Sequence, residues 1–395
     1  MSRSFRPRRN FPRRFSSPPK NKPNQDLLWA ITAGRSLGES AETVEKPVYI
    51  AEHRFEDFAL HAQIKRNIAD KKYVSPTPIQ DKAIPAICAG QDVIGIANTG
   101  TGKTAAFLAP LIDKVYKDNT QKVLIVSPTR ELALQIYEQL NEFAKGMRIF
   151  SALCIGGTNL NKQRIDLLQN PAFVIGTPGR IRDCINQRLL NLSQFNNVVL
   201  DEADRMVDIG FIGDIKYFIS LLPVKRQSLF FSATISKDVQ EIISSFVKNP
   251  VTVSVKENDT LENITQDIVK VEGNEQKVDK LHDLLIQNGF EKVLIFGRTK
   301  RGVQKLTNEL SSRGFRAGAI HGNKSQSQRQ RTLDMFKKNQ IRILLATDVA
   351  SRGLDIEDVS HVINFDMPAS YDDYIHRIGR TGRANKKGTA LTFVY

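Results

Sequence analysis

Asn197-Val198-Val199-Leu200-Asp201-Glu202-Ala203-Asp204 is an apolar run that breaks abruptly into acids. The run reads as a buried strand, and Asp201 and Glu202 stand at its C-terminal end. In open α/β sheets, ligands bind outside that end. Well upstream, Asp92-Val93-Ile94-Gly95-Ile96 is a second such run, and Ala97-Asn98-Thr99-Gly100-Thr101-Gly102-Lys103-Thr104 follows it. A phosphate cradle needs small residues, so that backbone N–H groups can approach the oxygens. It also needs a helix N-terminus, a lysine for the phosphate charge and a hydroxyl for a metal. Gly100 and Gly102 meet the first need, Lys103 supplies the charge and Thr104 the metal ligand. Asp201 then suits magnesium held through water, and Glu202 suits orienting or deprotonating an attacking water. Together the two stretches read as parts of a nucleoside triphosphatase. Ala97 stands where the general pattern has Gly. The bland alternatives are an ordinary strand-to-helix turn and a solvated acidic loop.

The same alternation runs through most of the chain. Val123-Leu124-Ile125-Val126, residues 150–155, Phe173-Val174-Ile175 and Leu229-Phe230-Phe231 read as further strands, with a helical pattern over residues 131–143. Continuous apolar runs mark strands covered on both faces, hence a parallel sheet with helical crossovers. The polar stretch Lys256-Glu257-Asn258-Asp259-Thr260 reads as a linker. The alternation then restarts with residues 293–296, 317–320, 341–346 and 362–365 as strands. The chain stops at Phe393-Val394-Tyr395 in what reads as a strand end. Two α/β domains are expected, over residues 51–255 and 263–395, behind a basic tail of residues 1–50.

Bulk properties agree. A chain of 395 residues suits two ordinary domains. With 41% hydrophobic and 25% charged residues, it has the composition of a soluble globular protein. A net charge of +15 favours a polyanionic partner, nucleic acid ahead of an anionic membrane surface. Cys88, Cys154 and Cys184 lie far apart without a Cys-x-x-Cys pair, which suits a reducing cytoplasm rather than a disulfide framework or zinc site. No apolar run reaches membrane-spanning length, and the start lacks a secretory apolar segment.

In the tail, Arg3, Arg6, Arg8, Arg9, Arg13, Arg14, Lys20 and Lys22 meet no acid before Asp26, and Phe5, Phe11 and Phe15 are interleaved. Too little apolar area is present to offset ordering, so disorder is expected. The tail reads as a sequence-tolerant RNA tether or as a merely solvated basic segment. A transit peptide fits the Arg and Ser content, but Pro7, Pro12, Pro18, Pro19 and Pro23 oppose an amphipathic helix.

Beyond these signals, an ordered set of motifs resembles the DEAD-box RNA helicases of superfamily 2, over residues 51 to 395. Phe55 and Tyr73 through Pro76-Thr77-Pro78-Ile79-Gln80 resemble that family's adenine-reading segment. Pro128-Thr129-Arg130-Glu131-Leu132, Gly156-Gly157 and Thr177-Pro178-Gly179-Arg180 resemble its first-domain RNA contacts. Ser232-Ala233-Thr234 resembles the segment coupling hydrolysis to unwinding. Gln326, Arg329, Thr347-Asp348, Arg352-Gly353-Leu354-Asp355 and His376-Arg377-Ile378-Gly379-Arg380-Thr381-Gly382-Arg383 complete the set. Departures are Lys72 for the usual Gly and Asn98 for the commoner Gln.

The resemblance implies two tandem RecA-like domains with an ATP cleft between them, using ATP and Mg2+. Phe55, Tyr73, Thr77 and Gln80 would take adenine, with Tyr73 stacked on the base and the Gln80 amide matching N6 and N7. The alternatives are core packing for Tyr73 and helix capping for Gln80. The resemblance further implies that Gly100, Thr101, Gly102, Lys103 and Thr104 hold the phosphates, and that Gly353 and Asp355 touch ribose and phosphates from the second domain. Arg380 and Arg383 would be arginine fingers, and His376 would join a network with Asp204, Ser232 and Thr234. Pro128, Thr129, Arg130, Gly156, Gly157, Thr177, Pro178, Gly179 and Arg180 would contact RNA backbone from one side. Gln326, Arg329 and Thr347 would do so from the other, blind to sequence.

The activity implied is a local, non-processive RNA helicase with a monomeric core, cytoplasmic and away from membranes. Ribosomal or RNA-decay proteins are the candidate protein partners. Rival readings are an ATP-gated RNA clamp without useful unwinding and a DNA-directed motor.

Overall fold

The computed structural model describes residues 49–98, 100–255, 263–351, 356, 358–382 and 386–395. The basic tail up to residue 48, the linker, Gly353, Asp355 and Arg383 therefore lie outside the described residues.

The first unit is a sheet of seven parallel strands: β1 (Val93–Ile96), β2 (Val123–Val126), β3 (Ser151–Cys154), β4 (Phe173–Gly176), β5 (Asn197–Leu200), β6 (Gln227–Ser232) and β7 (Val251–Ser254). Their order is β3-β4-β2-β5-β6-β1-β7. The second unit is a sheet of six: β8 (Ile264–Lys270), β9 (Val293–Phe296), β10 (Ala317–Ile320), β11 (Ile343–Ala346), β12 (His361–Asn364) and β13 (Gly388–Val394), ordered β10-β11-β9-β12-β13-β8. Each pairing is parallel.

Why these segments form buried strands follows from their side chains. Successive strand residues point to opposite faces. In the first sheet Val123, Ile125, Phe173, Ile175, Val199, Leu229 and Phe231 enter one core. Leu124, Val126, Val174, Val198, Leu200 and Phe230 enter the other. The second sheet divides the same way, with Val293, Ile295, Ile343 and Leu345 on one face and Leu294, Phe296, Leu344 and Ala346 on the other. Each buried aliphatic side chain contributes about 1.5–3 kcal/mol against leaving it in water, and an unbroken apolar run collects that on both faces. The terminal strand β13 is interior, flanked by β12 and β8.

Strand order decides what can meet. β5, β6 and β1 are neighbours, so their C-terminal tips gather Asp201-Glu202, Ser232-Ala233-Thr234 and residues 97, 98 and 100–102. β3, β4 and β2 are neighbours on the other half of the sheet. Their tips gather Gly156-Gly157, Thr177–Arg180 and Pro128–Arg130. In the second sheet β10, β11 and β9 adjoin, and Thr347 follows β11.

Candidate functional site

The loop after β1 turns into the helix Lys103–Lys117 at Gly102, whose φ of +90° lies in the left-handed region. A Cβ there would come 2.3 Å from Gln80 Nε2, so conformation and space both demand glycine. Lys103 is buried and its Nζ donates to the Ala97 carbonyl at 2.9 Å, bridging the loop. Thr101 Oγ1 donates to Asn98 O at 2.9 Å. Thr104 follows Lys103 in the first turn.

The adenine-reading segment braces this loop from outside. Gln80 is fully buried and donates from Nε2 to Gly102 O at 3.1 Å, while its Oε1 accepts the Thr77 N–H at 3.0 Å. Thr77 Oγ1 donates to Thr101 O at 2.7 Å. Gln80 thus takes the capping role weighed above and adds a second task, fastening the helix Pro78–Cys88 to the loop. Its amide keeps one N–H and one lone pair spare.

Tyr73, expected as a base platform, is held by aromatic neighbours and is only partly buried. Its ring is wedged edge-on between Phe55 and Phe143, with centroids 6.0 and 5.8 Å away, and its hydroxyl accepts from Gln139 Nε2 at 3.0 Å. Tyr73 packs against the first-domain core because apolar rings surround it, and Phe55 is buried in that core as well.

Glu202 adopts φ 52°, ψ 51°, a left-handed conformation that side chains other than glycine seldom hold. That kink turns β5 directly into the helix Ala203–Ile209 and keeps both acids inside. Glu202 Oε2 pairs with Arg205 Nη1 at 2.9 Å, one helical turn on, both side chains buried. Asp204 Oδ2 accepts from the N–H groups of Ala233 and Thr234 at 3.0 and 2.9 Å and from Thr234 Oγ1 at 3.2 Å. Ser232 Oγ accepts the Asp204 N–H at 3.3 Å and donates to Thr234 O at 2.7 Å. Burial alone would raise the Asp204 carboxyl, but Lys103, Arg205, the Thr234 N–H and His376 outweigh it and hold the group below its ordinary range. His376 belongs to the helix Tyr371–Ile378 of the second domain, so its charge reaches the first.

Asp201 differs from its neighbours. It accepts the Glu202 N–H at 3.1 Å, and burial pushes its carboxyl up to about 7 against the opposing pull of Lys103. Glu202 is satisfied by Arg205 and Asp204 by the β6 tip, which leaves the Asp201 charge the least compensated. That imbalance fits a divalent cation. Among the described residues no cluster of His, Cys, Asp and Glu makes a ready-made cage. The chemistry therefore fits Mg2+, which keeps waters and binds one or two carboxylates plus phosphate oxygens.

On the other half of the sheet, Arg130 lies over Gly156-Gly157. A Cβ on Gly157, which has φ +76°, would stand 2.3 Å from Arg130 Nη1. Thr129 caps the helix Arg130–Phe143 by accepting the Leu132 N–H at 3.3 Å. Pro178 opens the helix Pro178–Asn186 after Thr177. From that helix, next to Gly179, Arg180 Nη1 donates to Gln163 Oε1 at 3.0 Å. Gln163 Nε2 in turn donates to Ile155 O at 2.9 Å, which fixes the β3 tip.

Gln326 and Arg329, expected at the RNA, reach across to the first domain. They share one face of the helix Gln326–Lys337, whose start is fixed by Ser325 N–H donating to Gln328 Oε1 at 3.0 Å. Gln326 Nε2 and Arg329 Nη2 both reach Glu131 of the first domain, at 3.1 and 2.8 Å. All three side chains are buried, so an acid at a helix N-terminus and a cation from the other domain close the two halves together. Gln326 Oε1 and Arg329 Nε remain without a protein partner.

Glu131 and Arg377 stand inside quoted motifs without an assigned role, and Gln163 and Arg205 stand outside them. Arg377 holds Asp348 through Nε and Nη2 at 2.5 and 2.7 Å and donates from Nη1 to Asp366 O at 2.6 Å, which props the turn carrying Thr347. Position is the signal for Glu131, Arg205 and Arg377, which lie inside or beside a motif, whereas Gln163 offers none; buried pairing leaves no periodicity to read. Arg380 is buried just beyond the helix Tyr371–Ile378.

Similarity searches agree with this geometry. The DEAD/DEAH box helicase family profile matches residues 77–242, and that of the helicase conserved C-terminal domain matches residues 276–385. Over 342 residues the chain is 44% identical to the DEAD-box ATP-dependent RNA helicase CshA of Bacillus licheniformis, covering 86% of this chain and 70% of that one. The chain belongs to the DEAD-box ATP-dependent RNA helicases. DEAD-box helicases hydrolyse ATP, so this chain is an RNA-directed ATPase. S. cerevisiae Dbp5 bound to RNA and ADP BeF3 is similar with a TM-score of 0.77 at 32% identity, covering 87% of this chain and 89% of that one. Mss116p bound to ssRNA and AMP-PNP scores 0.79 at 28% identity, covering 88% and 76%. A DEAD box protein from Methanococcus jannaschii is 38% identical, covering 86% and 93%, yet scores 0.51. No described helix of this DEAD-box chain is long and apolar enough to cross a membrane.

Glu131→Gln removes the charge on which Arg329 closes. Removing one partner of a buried ion pair costs about 3–5 kcal/mol. RNA-stimulated ATPase should fall at least tenfold in this variant, while nucleotide binding without RNA stays close to wild type. Full RNA stimulation would show that the pair does not hold the closed state.

Proposed function

We propose that this helicase is a two-part clamp in which ATP and RNA favour the same closed arrangement. The observation that carries the reading is Glu131, buried against Gln326 and Arg329 of the opposite domain. It closes the halves where the proposed RNA face and the ATP cleft meet. The higher likeness to relatives bound to RNA and nucleotide than to the M. jannaschii protein supports a closed arrangement.

In this reading Gly100, Thr101, Gly102 and Lys103 cradle the phosphates, while Phe55, Tyr73, Thr77 and Gln80 border the base. Thr104 and Asp201 hold Mg2+, with Glu202 beside them; the ion neutralises phosphate charge when bound. Lys103 meets the terminal phosphates by leaving the Ala97 carbonyl. Glu202 orients the attacking water and accepts its proton. Arg380 and Arg383 approach the γ-phosphate from the second domain, with Gly353 and Asp355 on the ribose side. Asp204 joins the β5 tip to Ser232 and Thr234 of the β6 tip, and His376 senses the same acid from across the cleft. Hydrolysis at one tip therefore alters the contact that links the domains.

RNA lies along Pro128, Thr129, Arg130, Gly156, Gly157, Thr177, Pro178, Gly179 and Arg180, and meets Thr347 on the second domain. The spare Nε of Arg329 faces that strand once the domains close. Backbone contacts of this kind read no sequence, and the 2′-hydroxyl distinguishes RNA from DNA. A closed surface that fits one bent strand excludes its complement, which gives local, non-processive strand separation. A strand-displacement assay on short RNA duplexes, with ATPase stimulation by matched RNA and DNA, tests this reading. ATP-dependent displacement with RNA-selective stimulation is expected. Stimulation without displacement would leave a clamp, and equal stimulation by DNA would contradict RNA selectivity.

A further inference from the structure

One carboxylate of the first domain ties together both walls of the proposed adenine slot. Asp81 follows Gln80 in the helix Pro78–Cys88 and is buried. Its Oδ2 accepts from the Tyr49 hydroxyl at 2.6 Å and from the Glu52 N–H at 2.8 Å. Its Oδ1 accepts from the His53 N–H at 3.2 Å and from His53 Nδ1 at 2.7 Å. An ionised carboxylate has about four lone-pair sites, so the strap of residues 49–53 takes them all. Burial alone would raise the Asp81 carboxyl, but the donors of Tyr49, His53 and Glu52 hold it below its ordinary range. From His53 the contact passes on through rings. His53 packs against Phe58 with centroids 5.6 Å apart, Phe58 meets Phe55 edge-on at 5.9 Å, and Phe55 meets Tyr73 edge-on at 6.0 Å. The strap also runs directly into Phe55, two residues beyond His53. On its other side Asp81 shares a peptide bond with Gln80, whose amide braces Gly102 of the loop. The aromatic wall and the amide wall therefore depend on the same acid.

We propose that Asp81 is a positioning residue for nucleotide selection, fixing the gap between the rings of Phe55 and Tyr73 and the amide of Gln80. The inference rests on the adenine reading above. Asp81 touches no base itself and acts through the strap. The Gln80 amide suits adenine, which offers a donor at N6 and an acceptor at N7, whereas guanine has an acceptor at O6 in place of that donor. Such discrimination needs the amide held at hydrogen-bond distance from a base that lies against the rings, and that distance spans only about 2.7–3.2 Å. A strap that slips leaves the apolar contact, which either purine satisfies.

The test uses the full chain and compares Asp81→Asn and Tyr49→Phe with wild type in RNA-stimulated hydrolysis of ATP and of GTP. In Asp81→Asn, whichever way the new amide turns, its NH2 group faces a backbone N–H, that of Glu52 or that of His53. The strap is thereby loosened at a nearly isosteric site. KM for ATP should rise about tenfold, the scale of one lost hydrogen bond to a charged group. At saturating ATP and RNA, kcat should stay near wild type, because only binding of the base is weakened. KM for GTP should barely change, so the preference for ATP falls by the same factor. Tyr49→Phe removes a single hydroxyl at the exposed start of the strap and leaves the other three contacts in place. Its preference should fall in the same direction by a smaller factor. A purely structural role would lower the melting temperature and leave the preference for ATP intact, and that result in Asp81→Asn would overturn the proposal. Unchanged preference in Tyr49→Phe would overturn it even if Asp81→Asn failed to fold. Wild type that hydrolyses GTP as readily as ATP would instead remove the adenine reading, and this inference with it.

Discussion

Glu202→Gln should bind ATP and RNA as wild type does and turn over ATP about 10²–10⁴-fold more slowly, the range general-base removal produces. The substitution is nearly isosteric, so the left-handed turn at residue 202 and the entry to the helix Ala203–Ile209 are kept. What changes is chemistry. An amide neither accepts a proton from water nor matches the guanidinium of Arg205, whose Nη1 lies 2.9 Å from the carboxylate. Arg205 is itself buried, with Nη2 unpartnered, so its orientation depends on that acid. Single-turnover ATP hydrolysis with saturating RNA reads the effect. Near wild-type hydrolysis by this variant would remove Glu202 from the chemistry and leave it as the anchor of Arg205.

Arg380→Ala should reduce RNA-stimulated ATPase by about 10³-fold or more, the scale on which arginine fingers act. The reason is the division of labour between the sheets. Lys103, Asp201 and Glu202 rise from β1 and β5 of the first, whereas Arg380 follows the helix Tyr371–Ile378 of the second. Nucleotide affinity without RNA should change little, since the proposed phosphate cradle lies in the first domain. Turnover that RNA stimulates fully in the variant would contradict a role at the γ-phosphate.

Much of this molecule is legible in its sequence, for a physical reason. Strands such as Val123–Val126 and Val293–Phe296 are buried on both faces, so they appear as unbroken apolar runs bounded by polar turns. β7 escapes that reading because Val251–Ser254 is an edge strand with one covered face, and its mixed residues look like linker. The proposed phosphate loop and the acids after β5 stand out in the sequence because the chemistry they suggest is local. What meets what is not. Nothing in the order of residues says that β6 inserts between β5 and β1, which is why Ser232 and Thr234 touch Asp204. Nor does spacing show that Glu131 waits for Arg329, since their charges find each other only after both domains fold. Tyr73 illustrates the opposite hazard. An aromatic near an adenine segment suggests stacking, and spacing alone does not show that Phe55 and Phe143 also hold its ring edge-on.

The central claim is that ATP and RNA stabilise one closed arrangement, so their binding must be coupled, and equally in both directions. RNA affinity of the full chain, measured with and without a non-hydrolysable ATP analogue and Mg2+, tests this most directly. The account predicts binding tighter by about 5–150-fold with the analogue, the usual span of such couplings, and the same factor for the analogue when RNA is present. Identical RNA affinity in the two conditions would contradict it.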